Sequence, residues 1–183
     1  VGNTNLGSLD GVLFNETGTM LLAYPGGKVG HYTVPSSTTE IATRAFQYSK
    51  KITGVSLAAA TRTVNYYAFY GCENLVTAEL NEGLLSLGDQ SFALCKNLIG
   101  IRIPTTMASI GNLCFLDCVN LETLTLPEGL TTLGGLWNFQ GCIKLTSVTI
   151  PAALVPPTHR GAENAFSSCP ALVAIKVESG NLH

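Results

Sequence analysis

What most limits the folds open to this chain is that it repeats itself. Six phenylalanines, Phe46, Phe69, Phe92, Phe115, Phe139 and Phe166, follow one another at intervals of 23, 23, 23, 24 and 27 residues. Three residues after each stands Ser49, Cys72, Cys95, Cys118, Cys142 or Cys169, and three further on Ile52, Leu75, Leu98, Leu121, Leu145 or Leu172. A column of Val34, Leu57, Leu80, Ile103, Leu126 and Ile150 moves with the same steps, and Val177 opens a seventh unit. Columns that advance together mark a stacked array, because a unit this small cannot bury its apolar edge alone.

Each unit carries one short alternating stretch, such as Leu124-Thr125-Leu126 before Pro127 or Val148-Thr149-Ile150 before Pro151. Alternation predicts a brief strand with Leu124 and Leu126 inward and Thr125 outward. Proline has no N–H with which to continue a ladder, so Pro35, Pro104, Pro127 and Pro151 are expected to end the strands, with Ala58 and Asn81 in that place in the second and third units. Between that position and the phenylalanine run an aliphatic column (Ile41, Val64, Leu87, Ile110, Leu133) and a small-residue column (Ala45, Ala68, Ser91, Cys114, Asn138, Ala165). The expected fold is a solenoid with a parallel β-sheet on one face and short irregular or helical return arms. With neighbouring strands ~4.8 Å apart, six coils give a rod on the order of 30 Å long.

The first thirty residues do not follow the period. Val12-Leu13-Phe14 and Met20-Leu21-Leu22-Ala23-Tyr24 flank Asn15-Glu16-Thr17-Gly18-Thr19, which predicts a β-hairpin with a five-residue turn. Its expected role is to cover the first coil, as capping units do in repeat arrays. The chain thus divides into a cap over residues 1–31 and an array of about six units near 23 residues over 32–183.

Composition narrows the partners. Hydrophobic residues make up 46% of the 183, enough for a buried core. Charged residues make up 12%, against a usual share of roughly 25%, which points to neutral polar surfaces. Ten basic and twelve acidic side chains, without a Lys/Arg cluster, leave no electrostatic footprint for nucleic acid or anionic lipid. Turn residues interrupt every apolar run well short of the roughly 20 residues a bilayer span needs, so no membrane insertion is expected and the protein should be soluble. The chain opens at Val1 with neither an initiator Met nor a basic and apolar leader, so any signal peptide is expected to have been removed.

The motif Leu98-x-x-Ile101-x-Ile103-Pro104, then Ile110-Gly111, then Phe115-x-x-Cys118-x-Asn120-Leu121 resembles the BspA-like leucine-rich repeats of bacterial surface proteins. The segments Asp10-Gly11-Val12-Leu13-Phe14 and Leu22-Ala23-Tyr24-Pro25 are similar to a stretch that interrupts or precedes such repeats in that family. The resemblance covers roughly residues 10 to 177 and implies a leucine-rich-repeat solenoid. It also implies a secreted or surface protein of oral or gut bacteria, with adhesion to host matrix proteins or other cell-surface proteins as its role. Departures stand at Ser49 for the cysteine, at Lys51, Lys144 and Ala171 for the asparagine, and in the lengthened last unit.

The repeat also accounts for the residues that most invite a chemical role. Five of the six cysteines hold one position of successive coils, where parallel Cα–Cβ vectors do not supply the near-90° twist a disulfide needs. They are expected to be buried free thiols. Cys114 and Cys118 form a lone C-x-x-x-C with no second pair, so no metal site is expected. His31, His159 and His183 are scattered, with no Ser, Cys or carboxylate at the spacing of a nucleophilic or acid–base site, and neither an enzyme nor a cofactor is indicated. Asn74, Asn97 and Asn120 precede the column leucines and are expected to bond backbone groups at an inner corner.

The natural contact surface is the outward side of the strands. One column there holds Ser56, Glu79, Arg102, Thr125, Thr149 and Lys176, and the other Gly54, Thr77, Gly100, Thr123, Ser147 and Ala174. Glu79, Arg102, Thr125, Thr149 and Lys176 are the candidate partner-binding residues, with Glu79 and Arg102 expected to pair across adjacent strands. Neither column contains an aromatic residue, so a structural spacer presenting another domain is the alternative to a protein-binding module. A second candidate surface is the insertion Pro156-Pro157-Thr158-His159-Arg160, a rigid projecting loop by composition.

Overall fold

The repeating phenylalanines form a single stack through the molecule. Ring centroids lie 4.6, 5.0, 6.0, 5.9 and 5.3 Å apart from Phe46 to Phe166, with interplanar angles of 22° or less. Phe46, Phe69, Phe92, Phe115 and Phe139 have no exposed surface. Offset stacking of this kind adds about 0.5–1.5 kcal/mol per pair to the burial of the rings. The computed structural model describes residues 6–134, 137–151, 154 and 165–178, so the Pro156 to Arg160 insertion lies outside the described residues.

The chain begins with β1 (Leu6–Leu9), β2 (Val12–Asn15) and β3 (Met20–Ala23). Strands then alternate between two sides of the coil: β4 (Gly30–Thr33), β5 (Glu40–Ile41), β6 (Ile52–Ser56), β7 (Thr63–Val64), β8 (Thr77–Glu79) and β9 (Ser86–Leu87). The alternation continues through β10 (Gly100–Ile101), β11 (Ser109–Ile110), β12 (Thr123–Thr125) and β13 (Thr132–Leu133), before β14 (Ser147–Pro151) and β15 (Ala174–Glu178). One seven-stranded parallel sheet runs in the order β15-β14-β12-β10-β8-β6-β4 and forms the expected strand face. Its inward residues Val55, Ala78, Ile101, Leu124 and Val148 enter the core with Leu75, Leu98 and Leu121.

The arms are more regular than the pattern predicts. Among the described residues there is no helix, and the aliphatic column carries a second sheet in the order β1-β2-β3-β5-β7-β9-β11-β13. Its short strands pair in parallel, Glu40↔Thr63↔Ser86↔Ser109↔Thr132, and point Ile41, Val64, Leu87 and Ile110 into the core. The phenylalanine side is also tied coil to coil. Arg44, Phe46 and Tyr48 donate their N–H groups to Tyr66, Ala68 and Tyr70, and Gln90, Phe92 and Leu94 to Asn112, Cys114 and Leu116. Every second residue donates forward, so a segment outside both sheets still pairs its backbone groups.

Two bends per coil make this possible, and both use left-handed backbone. Arg44, Tyr67, Gln90, Leu113 and Trp137 have φ of 61°, 58°, 55°, 55° and 46°. Tyr48, Leu94, Asp117 and Ser168 have φ between 55° and 59°, and Gly71 and Gly141 occupy that column in the remaining coils. Non-glycine residues enter this region rarely and at a cost. Forward bonds such as Tyr48 to Tyr70 (2.8 Å) and Leu94 to Leu116 (2.7 Å) offset it.

The amino-terminal hairpin is present but longer and differently placed than its sequence suggests. β2 and β3 are joined by residues 16–19, their pairing carries a bulge between Leu13 and Phe14, and β1 adds a further antiparallel strand. β3 then pairs in parallel with β5, so the hairpin extends the arm sheet. Tyr24 takes the next place in the ring stack, 4.6 Å from Phe46.

Candidate functional site

The strand face presents the candidate residues as one column. Thr33, Ser56 and Glu79 are in register across β4, β6 and β8, and Thr125, Thr149 and Lys176 across β12, β14 and β15. Arg102 lies one residue beyond β10 and bridges the two halves. Glu79, Arg102, Thr125 and Lys176 are exposed, and Thr149 is half-buried. All five sequence-predicted positions therefore share one surface.

Their bonding differs from expectation. Glu79 and Arg102 do not pair. The Arg102 guanidinium lies 2.8 Å from a carboxylate oxygen of Glu82, three residues along the same coil as Glu79. The long arginine side chain reaches back to the residues that follow β8 in the preceding coil, where Glu82 stands. The Glu82 carboxyl is held below the usual glutamate range, first by the Thr105 hydroxyl, then by the Thr105 N–H, and also by the charge and hydrogen bond of Arg102. The Thr105 hydroxyl and N–H lie 2.9 and 3.0 Å from Glu82 Oε2.

Glu79 instead ends a chain of hydrogen bonds that sequence spacing alone does not reveal. The Ser56 hydroxyl donates to Glu79 Oε2 at 2.5 Å, and His31 Nε2 lies 2.8 Å from Ser56 Oγ. The single Ser56 proton goes to the carboxylate, so His31 Nε2 is the donor in the second bond. Gly54 permits this: a Cβ there would run into the His31 ring and meet Thr77 Oγ1 at 2.8 Å. The serine bridges acid and histidine, so its proton is not presented to a base as in a nucleophilic triad. The 23-residue steps align His31, Gly54 and Thr77, but the bonds from His31 through Ser56 to Glu79 join different columns and are decided by packing.

Beside this face, side chains link coils in ladders. Asn120 Nδ2 donates to Asn97 Oδ1 at 3.2 Å, Asn97 Nδ2 to Asn74 Oδ1 at 3.2 Å, and Asn74 Nδ2 to the Lys50 carbonyl at 2.7 Å. Asn74 bonds backbone as expected, whereas Asn97 and Asn120 bond the preceding amide, and Asn74 and Asn97 are exposed, which corrects the expectation of an inner corner. A primary amide is both donor and acceptor, so stacked copies at one coil spacing satisfy one another. Next to them Glu73 sits between Lys50 at 3.4 Å and Lys96 at 3.2 Å, and these cations hold its carboxyl below the usual range.

The cysteines are buried thiols, and among the described residues no group of three or more His, Cys, Asp or Glu side chains converges on a metal-sized site. No helix among those residues is long and apolar enough to cross a membrane.

Solved structures share this architecture. The T. pallidum leucine rich repeat protein superposes with a TM-score of 0.76 at 28% identity, covering 87% of this chain and 75% of that one. The pneumococcal vaccine antigen PcpA gives 0.65 at 26% identity, covering 99% of this chain and 38% of its own. A leucine rich cell surface protein from Faecalibacterium prausnitzii A2-165 gives 0.72 at 23% identity, a likeness of fold, with 97% of this chain and 40% of that one covered. The chain thus spans well under half of the latter two. Comparison with curated protein sequences gives no match. The family profile of the BspA type leucine rich repeat region matches residues 23–145 and 114–183 with six copies, and the chain belongs to the BspA type leucine-rich-repeat family.

Proposed function

We propose that this chain is an extracellular or cell-surface protein-binding module that acts in adhesion, with the strand face as its contact surface. The observation that carries the reading is the row formed by Glu79 on β8, Arg102 one residue beyond β10, and the in-register Thr125, Thr149 and Lys176 on a seven-stranded sheet. It is continuous along the array and varied in charge from coil to coil. Arginine is favoured at binding hot spots, and Arg102 stands in the middle with its side chain 76% exposed. In this reading residues 1–31 close the first coil and 32–183 carry the contact surface. The work of the module is binding, not catalysis.

Host matrix proteins and other cell-surface proteins are the partners to test, by surface plasmon resonance over an array of purified matrix proteins. Arg102→Ala combined with Thr125→Arg should weaken a binder about tenfold or more without lowering the melting temperature. Uniform failure across the array replaces the reading with that of a spacer. Binding that survives the pair but is lost on deleting Pro156 to Arg160 moves the site to that insertion.

A further inference from the structure

The second sheet has an outward face of its own, and it is not flat. A groove of about 320 Å³ crosses four coils there. One wall is a row of hydroxyls, Thr63, Ser86, Ser109 and Thr132, in register on β7, β9, β11 and β13. The other is formed by Tyr66, Asp89 and Asn112. Gly88 and Gly111 also line the groove, and packing requires them, because a Cβ on either would run into the preceding coil, meeting the Tyr66 N at 2.6 Å and the Asp89 N at 2.5 Å. Those glycines set the close approach of the coils and carry no ligand information. The side chains of the walls do.

Tyr66 is 52% exposed at one end of the groove, where the next two coils place Asp89 and Asn112. Among the described residues its side chain makes no ring contact and no hydrogen bond. The Ser109 and Thr132 hydroxyls are likewise without a partner among those residues, and Ser86 reaches Thr63 only at 3.5 Å. Asp89 is the one carboxylate, and its Oδ1 already accepts the Asn112 N–H at 2.8 Å. The Asn112 Nδ2 also lies 3.4 Å from both Asp89 carboxylate oxygens, so the groove is an aromatic platform beside a neutral row of hydroxyls, with those of Ser109 and Thr132 unpartnered among the described residues.

We infer that this groove binds a linear, neutral, extended oligosaccharide. A pyranose has an apolar C–H face that packs on an aromatic ring and a rim of hydroxyls that exchange hydrogen bonds with Ser, Thr and Asn. An extended peptide is a poorer occupant, because the strands under the groove spend their N–H and C=O groups on one another and leave no edge for β-addition. A polyanion finds no cation along the walls. The spacing also fits: coils recur at ~4.8 Å, close to the ~5 Å advance per residue of an extended β-linked hexose chain, so four coils span about three sugars.

The test is calorimetric titration with cellohexaose, chitohexaose and xylohexaose, with maltohexaose as a curved comparison. At least one extended chain should bind saturably and more tightly than maltohexaose. Tyr66→Ala, at a half-exposed site, should weaken it about tenfold or more, and Ser109→Ala about threefold. Arg102→Ala, on the other sheet, should leave it unchanged, which separates this site from the strand-face reading. Amide shifts in the wild-type protein should map to residues 63–66, 86–89 and 109–112. Silence with all three extended chains overturns the proposal, as does binding whose shifts lie elsewhere or that Tyr66→Ala does not move.

Discussion

The sulfhydryl of Cys118 donates to the carbonyl oxygen of Phe92 in the preceding coil, 3.2 Å away. Cys72, Cys95 and Cys142 do the same to Phe46, Phe69 and Phe115 at 3.1 to 3.2 Å. Each of the carbonyls of Phe69, Phe92 and Phe115 also accepts the N–H three residues on in its own coil, so the thiol supplies the second bond that a carbonyl can take. The column wants a small apolar side chain that carries one weak donor, and cysteine is that residue.

Burial pushes the Cys72, Cys114 and Cys142 thiols up to about 12, and Cys95 and Cys118 well above the usual range. Native protein should therefore resist a thiol reagent at pH 8, while the denatured, non-reduced protein should titrate close to six thiols. The same shift makes stability fall with alkali. The unfolded chain releases thiol protons above about pH 8.5 while the folded chain keeps them, so the contribution is whole below that pH and is lost progressively up to about 12. Urea melts between pH 7 and 10 that show no decline would contradict this.

Ser49 heads the same column without benefit of the bond. Its hydroxyl is buried and has no partner among the described residues. Ser49→Ala should raise stability by about 1 kcal/mol, because it removes an unsatisfied polar group. Ser91→Ala is the control. The Ser91 hydroxyl lies 3.1 Å from the Cys114 sulfur, and its loss should destabilise. Equal effects of the two substitutions in urea titrations would show that the bonding assignment is wrong.

Phe115 is fully buried between Phe92 and Phe139, at centroid distances of 6.0 and 5.9 Å. Phe115→Ala should cost about 3–5 kcal/mol through lost burial and the cavity left in the stack. A loss below roughly 0.5 kcal/mol, the range of surface substitutions, would mean that the stack does not carry the core.

The partner of Arg102 can be checked by carboxyl NMR titration. Glu82 should titrate below the ordinary glutamate range. Removing the Thr105 hydroxyl by Thr105→Val should raise its pKa, since that bond is the first cause of the depression, and Arg102→Ala should raise it as well. An Arg102→Ala effect at Glu79 and none at Glu82 would restore the cross-strand pair expected from the sequence.

The period, the inward columns and the strand face follow from the sequence alone. Positions that recur every 23 residues meet the same surroundings in every coil, so Phe69, Cys72 and Leu75 can be placed by counting. Counting also put Glu79, Arg102, Thr125, Thr149 and Lys176 on one surface. It did not assign their partners, because a side chain's reach and turn are set by its own coil's bends. Arg102 finds Glu82, and His31 reaches Ser56 over Gly54. The second sheet and the forward bonds of the arms were illegible for a related reason. Strands of two residues, such as Ser86–Leu87, are too short to show alternation, and the left-handed bends fall on Arg44, Tyr67 and Leu113, residues with no intrinsic preference for them. Stacking imposes those conformations, because each coil must offer its backbone to the next, and only the packed array decides where the chain bends to do so.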